Sequence, residues 1–222
     1  MTDRPINVLV VDDSAVVRRV LRARLPADGT IRVCGTAPDP FIARKKIIDL
    51  KPDVMLLDIE MPRMDGLTFL KRVMHYLPMP VIIFSSMSET GSAVALQALA
   101  AGAIDVVLKP TSHDDLAVTI EDLVRRIQVA SATRVRRAGA DPASAGVEPT
   151  PARPVPASSS FGASLIAIGA STGGTVAIER ILRALPPEAP GVLVVQHMPP
   201  GFTRAFAERL DGMCSFLDME RT

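Results

Sequence analysis

The sequence has no tryptophan and only 4% aromatic residues, so it lacks the stacking platforms on which proteins bind single-stranded nucleic acid. Its two cysteines, Cys34 and Cys214, are too few for a disulfide scaffold or a cysteine-based zinc site. The 25 basic and 24 acidic residues nearly cancel, which removes any bulk attraction to nucleic acid or to an anionic membrane. No apolar run approaches the roughly 18 residues of a membrane span, and the N-terminus lacks the pattern of a secretory signal. We therefore expect a soluble cytoplasmic protein without direct membrane insertion.

Aliphatic residues are abundant: 48% of the 222 residues are apolar. That content supports a folded core and excludes wholesale disorder. One segment differs, because 17 of the 23 residues from 138 to 160 are Ala, Pro, Ser or Gly without apolar periodicity. Such a composition is typical of a flexible linker. We predict a first domain over 1–130, a linker over 131–162 and a second unit over 163–222.

The first domain alternates short apolar runs with segments of helical periodicity. Five such βα units predict a doubly wound, five-stranded parallel α/β sheet. The last helix carries its apolar residues on one face, and Ser112 is its expected N-cap. The predicted strands are 6–11, 31–35, 54–57, 81–84 and 104–108.

Polar residues follow four of these strands at the edge where their carboxyl ends meet. Asp12 and Asp13 follow the first strand, Asp58 the third, Ser85 ends the fourth, and Lys109 ends the fifth. Crowded carboxylates repel one another unless a positive group joins them. That group is either Mg²⁺, which prefers oxygen ligands, or Lys109. The simpler alternative, solvated caps at strand ends, does not explain why four strand ends supply complementary groups.

The first domain resembles the receiver domain of two-component response regulators. The resemblance implies that Asp58 accepts a phosphoryl group from a phosphohistidine of a sensor kinase. It is carried by Asp12-Asp13-Ser14, Asp58 with Met61-Pro62 and Asp65-Gly66, Ser85, and Lys109-Pro110.

The same resemblance implies how the site is assembled. Asp13 and Asp58 hold Mg²⁺ directly, with a main-chain carbonyl near Glu60, and Asp12 acts largely through water. Ser85 and Lys109 contact the phosphate after transfer and thereby bias a two-state switch. Val106 stands where receivers often carry an aromatic residue, so an aromatic-rotamer relay is not expected.

The second unit places a serine and a histidine after two successive strands. An apolar run over 165–168 leads into a glycine-rich turn with Ser171, and a run over 192–195 is followed by His197. If the two strands are neighbours, Ser171 and His197 face each other as the nucleophile and base of a serine hydrolase. Taken alone, the same residues favour the simpler interpretation: a phosphate-binding or merely tight turn, and an ordinary loop histidine.

Together with an upstream receiver, this unit resembles the start of the catalytic domain of the chemotaxis protein-glutamate methylesterases (CheB family). The resemblance implies that Ser171 attacks a glutamyl methyl ester on a chemoreceptor and releases methanol. It also implies that His197 moves the proton, that Thr172 helps to stabilise the oxyanion, and that receptor glutamines are deamidated. The matching strings are Gly169-Ala170-Ser171-Thr172-Gly173-Gly174 and Gln196-His197-Met198-Pro199-Pro200-Gly201-Phe202-Thr203.

The implied partners are a chemotaxis sensor histidine kinase and the methylated cytoplasmic domains of chemoreceptors. In this family the unphosphorylated receiver covers the active site, and phosphorylation relieves the cover. No nucleic-acid partner is expected, because the second unit has no helix-turn-helix pattern. The arginines around Arg125 and Arg126 are expected to solvate the last helix.

The chain departs from the family in the length of its second unit. The family's third triad residue, an aspartate, comes from an Asp-Gly-x-x-Gly-Met segment that is missing here, and Asp211 and Asp218 are poor substitutes. We therefore expect a truncated or frameshifted member with an incomplete α/β hydrolase-type second domain. The alternative function is a non-catalytic receiver that accepts phosphoryl groups or binds a kinase.

Overall fold

The computed structural model describes residues 4–25, 29–61, 65–86, 89–110, 112–133, 135, 165–186, 189–199 and 201–213. The predicted linker over 131–162 lies largely outside these residues, as do Pro62, Pro200 and Asp218. Among the helices described, none has the length and apolar content needed to cross a membrane.

The first domain is built on the predicted five-stranded parallel sheet, with strand order β2-β1-β3-β4-β5. The chain order begins in the middle of the sheet and winds outward in both directions, which confirms the doubly wound fold class. Central strands are buried on both faces, and this explains their nearly continuous apolar sequence. The strands are β1 (Ile6–Val11), β2 (Ile31–Ala37), β3 (Val54–Leu57), β4 (Val81–Ser85) and β5 (Asp105–Leu108).

Helices cover both faces of this sheet, and side-chain caps define several of their starts. The Ser14 hydroxyl accepts a hydrogen bond from the backbone N–H of Val17, and Ser112 caps the last helix through Asp115 N–H, as predicted. The helices are α1 (Ala15–Arg24), α2 (Pro40–Leu50), α3 (Gly66–Tyr76), α4 (Glu89–Ala100) and α5 (His113–Ser131).

The period of two along the strands divides the core into two layers. On one face, Leu9 and its equivalents pack with α2, α3 and α4. On the other face, Val8 and Val10 pack with α1 and α5, whose Leu21 and Leu123 are fully buried. The two layers hold the central strands rigidly, so the loops at their carboxyl ends start from fixed positions.

The second unit is a two-stranded parallel sheet with a helix after each strand. It comprises β6 (Leu165–Ala170), α6 (Gly174–Ala184), β7 (Gly191–Gln196) and α7 (Phe202–Asp211). This architecture confirms the expectation of a partial hydrolase-type domain.

Helices α6 and α7 pack against α4 of the first domain. Ile178, Phe202 and Phe206 are buried there in one apolar cluster with residues of the first domain. On the other face of the small sheet, Leu193 and Val195 are more than half exposed. The buried core of the second unit therefore forms where α6 and α7 pack against the first domain.

Replacing Gly66 by alanine should destabilise the first domain. A Cβ at this position would lie 2.5 Å from the carbonyl oxygen of Asp58 and 2.6 Å from Cα of Ile59, so backbone must move. We expect a loss of about 1–3 kcal/mol in the free energy of unfolding, measured by urea titration followed by circular dichroism.

The matched control is Gly35→Ala, where the new Cβ meets the flexible end of Leu50 first, at 2.8 Å. Its cost should be clearly smaller. Equal stabilities for Gly66→Ala and the wild-type protein would contradict the close packing of α3 on the segment after β3.

Candidate functional site

Three carboxylates converge at the carboxyl edge of the five-stranded sheet. Val11 and Leu57 are paired at the ends of β1 and β3, so the residues that follow these strands are neighbours. One carboxylate oxygen from each of Asp12, Asp13 and Asp58 lies within 4.8 Å of the others. Asp12 and Asp58 are buried, whereas Asp13 is exposed. The edge therefore offers a partly open acidic cluster.

Lys109 enters this cluster from the end of β5. Its Nζ donates a hydrogen bond to Oδ2 of Asp58 at 2.7 Å and forms an ion pair with Oδ2 of Asp12 at 2.9 Å. The backbone N–H of Lys109 donates to the carbonyl of Ser85 at 2.8 Å, which ties the lysine to the end of β4. The side chain of Ser85 is itself buried at that strand end.

Burial and charge act against each other in this pair of acids and their lysine. Burial raises the pKa of the Asp12 carboxyl above its ordinary value, and Lys109 offsets that rise only in part. Burial alone would lower the pKa of Lys109, but the hydrogen bonds and charges of Asp58 and Asp12 together raise it. The lysine thus stays positively charged at neutral pH.

The acidic loop after β1 is held by a residue that the sequence analysis missed. Nη1 of Arg18 donates to the carbonyl oxygens of Asp12 and Asp13 at 2.6 and 2.9 Å. Asp12 Oδ1 also accepts from the backbone N–H of Ser14 at 2.8 Å. The available signal was the position of Arg18, one helical turn after the N-cap Ser14, from which its side chain reaches back to the loop.

The donor set fits a hard divalent cation. If all three carboxylates are ionised, they exceed the single ammonium group by two negative charges, and their oxygens are ligands that Mg²⁺ prefers. Asp58 Oδ2 faces Lys109, and Asp58 Oδ1 accepts from the backbone N–H of Glu60 at 3.1 Å. The part predicted for a carbonyl near Glu60 remains a prediction.

The second unit brings Ser171 and His197 together at the edge of its own sheet. Ala170 and Gln196 are paired at the ends of β6 and β7, and Ser171 Oγ lies 3.3 Å from Nδ1 of His197. Both residues are exposed. This is the juxtaposition expected for neighbouring strands.

The serine sits at the start of a tight turn that leads into α6. The N–H of Gly174 donates to the carbonyl of Ser171 at 2.7 Å. Gly173 has a φ of 75°, a left-handed conformation that favours glycine. The N-terminus of α6, where a negative charge is favoured, therefore lies close to Ser171 along the chain.

The carboxylate of a complete triad is not seen beside His197. Among the residues described, no carboxylate makes a hydrogen bond to its ring. Asp211 lies in the last position of α7, and Asp218 falls outside the described part. The assessment of both as poor candidates remains a prediction.

An ion-pair network around the buried Arg126 joins the turn of the second unit to the first domain. Thr172 Oγ1 donates to Oδ2 of Asp105 at 2.7 Å. Nη1 of Arg126 donates to the same oxygen at 2.6 Å, and its Nε donates to Asp122 at 2.6 Å. Burial alone would lower the pKa of Arg126, but the two aspartates raise it.

This network corrects the expectation that Arg126 solvates the last helix. Arg126 is only 6% exposed, whereas the side chain of its neighbour Arg125 is 72% exposed. Two adjacent arginines on a helix point in different directions, and composition alone does not distinguish them. Asp105 was missed for the same reason, since its role depends on a residue 67 positions away.

Residues of the first domain lie beside Ser171 and His197. Leu99 and Val106 line a cavity of about 10 Å³ with them, which is about the room for one water molecule. His197 also lines a wider cavity of about 380 Å³ between the second unit and β5 and α5, so the first domain narrows only part of the space around this pair.

Comparisons with known families agree with both halves of the structure. The family model described as response regulator receiver domain matches residues 8–121. The model described as CheB methylesterase matches residues 166–219. The first match covers more than half of the chain.

Known proteins with both regions are similar over most of this chain. A protein-glutamate methylesterase/protein-glutamine glutaminase of Anaeromyxobacter dehalogenans is 54% identical over 208 residues, covering 93% of this chain and 57% of the relative. One from Cupriavidus pinatubonensis is 49% identical over 216 residues, covering 96% and 60%. This chain thus spans about three fifths of the length of these curated relatives.

A solved structure supports the same relationship for the first domain. The crystal structure of the response regulator domain of Thermotoga maritima CheB superposes with a TM-score of 0.54 at 39% identity, covering 59% of this chain and 99% of that chain. The first domain therefore has the receiver fold. The chain belongs to the response-regulator receiver family, and over most of its length it is similar to proteins of the CheB group.

Proposed function

We propose that this chain provides the receiver and part of the catalytic domain of a phosphorylation-regulated protein-glutamate methylesterase and protein-glutamine glutaminase acting on chemoreceptors. The observation that carries the proposal is the contact between Ser171 Oγ and His197 Nδ1. The turn with Ser171 also contacts β5, the strand leading to Lys109, through Thr172 and Asp105. The receiver comprises residues 1–130, the linker 131–162 and the catalytic part 163–222.

In the receiver, Asp58 is the phosphoryl acceptor. Asp13 and Asp58 would hold Mg²⁺ directly, with Asp12 acting through water and a carbonyl near Glu60 completing the set. The ion, when bound, offsets charge on the transferring phosphoryl group. Lys109 supplies a second positive charge at Asp58, to which it already donates a hydrogen bond.

Phosphorylation would change the partners of Lys109 and Ser85. A phosphate on Asp58 offers new acceptor oxygens to the ammonium group and to the Ser85 hydroxyl at the end of β4. Lys109 would then share its hydrogen bonds differently between Asp12 and the phosphate. Contacts that differ between two states are what bias a switch.

In the catalytic part, Ser171 is the nucleophile and His197 the base. Nδ1 of His197 accepts the hydroxyl proton as Ser171 Oγ attacks the ester carbonyl, and the imidazolium returns it to the departing methanol. Water then attacks the acyl-enzyme, again losing a proton to His197, and releases the glutamate with a free Ser171. Thr172 and the N-terminal N–H groups of α6 stabilise the oxyanion, and with a glutamine substrate ammonia leaves instead.

The receiver inhibits this chemistry until it is phosphorylated. The Thr172 hydroxyl donates to Asp105, so the residue proposed for the oxyanion is held by the first domain. Leu99 of α4 and Val106 of β5 also line the small cavity beside Ser171 and His197. A shift of β5, which carries both Asp105 and Val106, would release Thr172 and widen this cavity.

The proposed partners are a chemotaxis sensor histidine kinase, which donates the phosphoryl group, and the methylated cytoplasmic domains of chemoreceptors. Both reactions would take place in the cytoplasm. No nucleic acid is involved, because the net charge is only +1.

The second candidate function is a receiver without esterase activity. It is favoured by the absence of a carboxylate partner for His197 among the described residues. Loss of that partner costs roughly four orders of magnitude in turnover in serine proteases. Such a chain would still accept phosphoryl groups at Asp58 or bind a kinase.

Phosphorylation should be confined to Asp58. With Mg²⁺ and acetyl phosphate, intact-mass spectrometry should show the gain of one phosphoryl group by the wild-type chain and none by Asp58→Asn. Asp49→Asn, an exposed aspartate on α2, is the matched control and should behave as wild type. Equal phosphorylation of Asp58→Asn would contradict the assignment of the acceptor.

Methanol release decides between the two candidate functions. The chain is incubated with receptor membranes carrying labelled methyl esters, with and without phosphodonor, beside a Ser171→Ala variant. Release that needs Ser171 and rises on phosphorylation supports the methylesterase. Phosphorylation of Asp58 without release above the Ser171→Ala level supports the non-catalytic receiver.

A further inference from the structure

Gln196, the last residue of β7, bridges the ends of the two strands that carry Ser171 and His197. Its Nε2 donates one hydrogen bond to the carbonyl oxygen of Ser171 at 2.9 Å and another to the carbonyl oxygen of His197 at 2.9 Å. Gln196 therefore donates both protons of its amide group to the backbone carbonyls of the proposed nucleophile and base. The reaction proposed above assigns no role to this side chain.

The orientation of this amide follows from its surroundings. With the amide turned over, Oε1 would face the two carbonyl oxygens and repel both. In the observed orientation, Oε1 is buried and has no hydrogen-bond partner among the described residues. This orientation leaves Oε1 without a partner among the described residues but gives the NH₂ group two hydrogen bonds to carbonyl oxygens. Those two hydrogen bonds therefore stabilise the arrangement by more than the unpaired acceptor costs.

A glycine on the facing element provides the space for the side chain. A Cβ at Gly174 would lie 2.1 Å from Oε1 of Gln196 and 2.6 Å from Cβ of Ala170. Gly174 also donates its N–H to the carbonyl of Ser171, so that carbonyl receives bonds from both the turn and Gln196. The glycine and the glutamine thus form one arrangement around the Ser171 carbonyl.

We propose that Gln196 is a positioning residue, which sets the distance between Ser171 Oγ and the His197 ring by tying their backbone carbonyls to one amide group. The inference rests on the proposed function, because it assigns Ser171 and His197 their roles. Backbone placement matters here since both side chains are exposed and their 3.3 Å contact is long for a hydrogen bond. Without the bridge, two carbonyl dipoles converge with nothing between them, and the two loops move apart.

The test compares Gln196→Glu and Gln196→Met with wild type by the rate at which a fluorophosphonate probe labels Ser171. The carboxylate of the first variant repels both carbonyls, and the second variant removes both donors without charge. We expect labelling to fall roughly 10- to 100-fold in each, the scale of a small misplacement at a reacting centre. Gln128→Glu, an exposed position on α5, is the matched control, and Ser171→Ala reports background.

The pH profile separates positioning from a general loss of structure. Protonation of the carboxyl introduced by Gln196→Glu restores one donor, so its labelling rate relative to wild type should rise as the pH falls. Gln196→Met has no such group, and its relative rate should stay flat. Wild-type labelling rates in both variants, with background confirmed by Ser171→Ala, would overturn the proposal.

Hydrogen exchange of the Gln196 side chain in the wild-type chain tests the proposal without relying on the reactivity of Ser171 or on the folding of a variant. In the wild-type chain, the side-chain NH₂ protons of Gln196 should exchange with solvent at least several-fold more slowly than those of exposed Gln97 and Gln128. If the probe does not label the wild-type chain, the proposed chemistry fails for this chain. Protected Gln196 protons would then still support the bridge, whereas exchange as fast as in the two exposed glutamines would overturn it.

Discussion

The ammonium group of Lys109, held between Asp12 and Asp58, is the interaction on which the receiver site depends. Both aspartates are almost fully buried, at 1% and 2% exposure, and two buried carboxylates side by side are not tolerated without a cation. The lysine reaches them only because β5 ends beside β4 and because Ser85 fixes its backbone. Folding of the sheet thus builds an acidic pocket that is neutralised in part. That partial neutrality is compatible with the proposed role of the site, in which a divalent ion and a phosphoryl group would bind together.

The strand that leads to Lys109 begins with Asp105, the residue that holds Thr172. Lys109 is the fourth residue after Asp105, or about 13 Å away along extended chain. The segment from Asp105 to Lys109 therefore contacts Asp58 at one end and the turn with Ser171 and Thr172 at the other. Arg126 of α5 supports this contact. It is buried, and it donates to the same oxygen of Asp105 as Thr172 does. A strand is stiff along its length. A displacement of Lys109 caused by a change in its hydrogen-bond partners would therefore be transmitted along β5 to Asp105 and Thr172.

The first domain was predictable from sequence because its signals are local and periodic. The strand at 54–57 and the helix cap at Ser112 follow from apolar pattern and capping chemistry within a few residues, and the acidic edge follows from the rule that parallel strands end together. The contacts between the two parts were not predictable in this way. Thr172 and Arg126 reach Asp105 across 67 and 21 positions of sequence, and such contacts leave no local motif. The two orientations of Arg125 and Arg126 show the limit well, since only the packing of α5 distinguishes a solvated arginine from a buried one.

The central claim is that phosphorylation at Asp58 is transmitted along β5 to the turn that carries Ser171. Amide hydrogen exchange of the peptide spanning 169–175 measures this directly, with and without acetyl phosphate and Mg²⁺, in the wild-type chain and in Asp58→Asn. The account predicts faster exchange in this peptide on phosphorylation of the wild-type chain and no change in the variant. Unchanged exchange in a wild-type chain that mass spectrometry shows to be phosphorylated would contradict it.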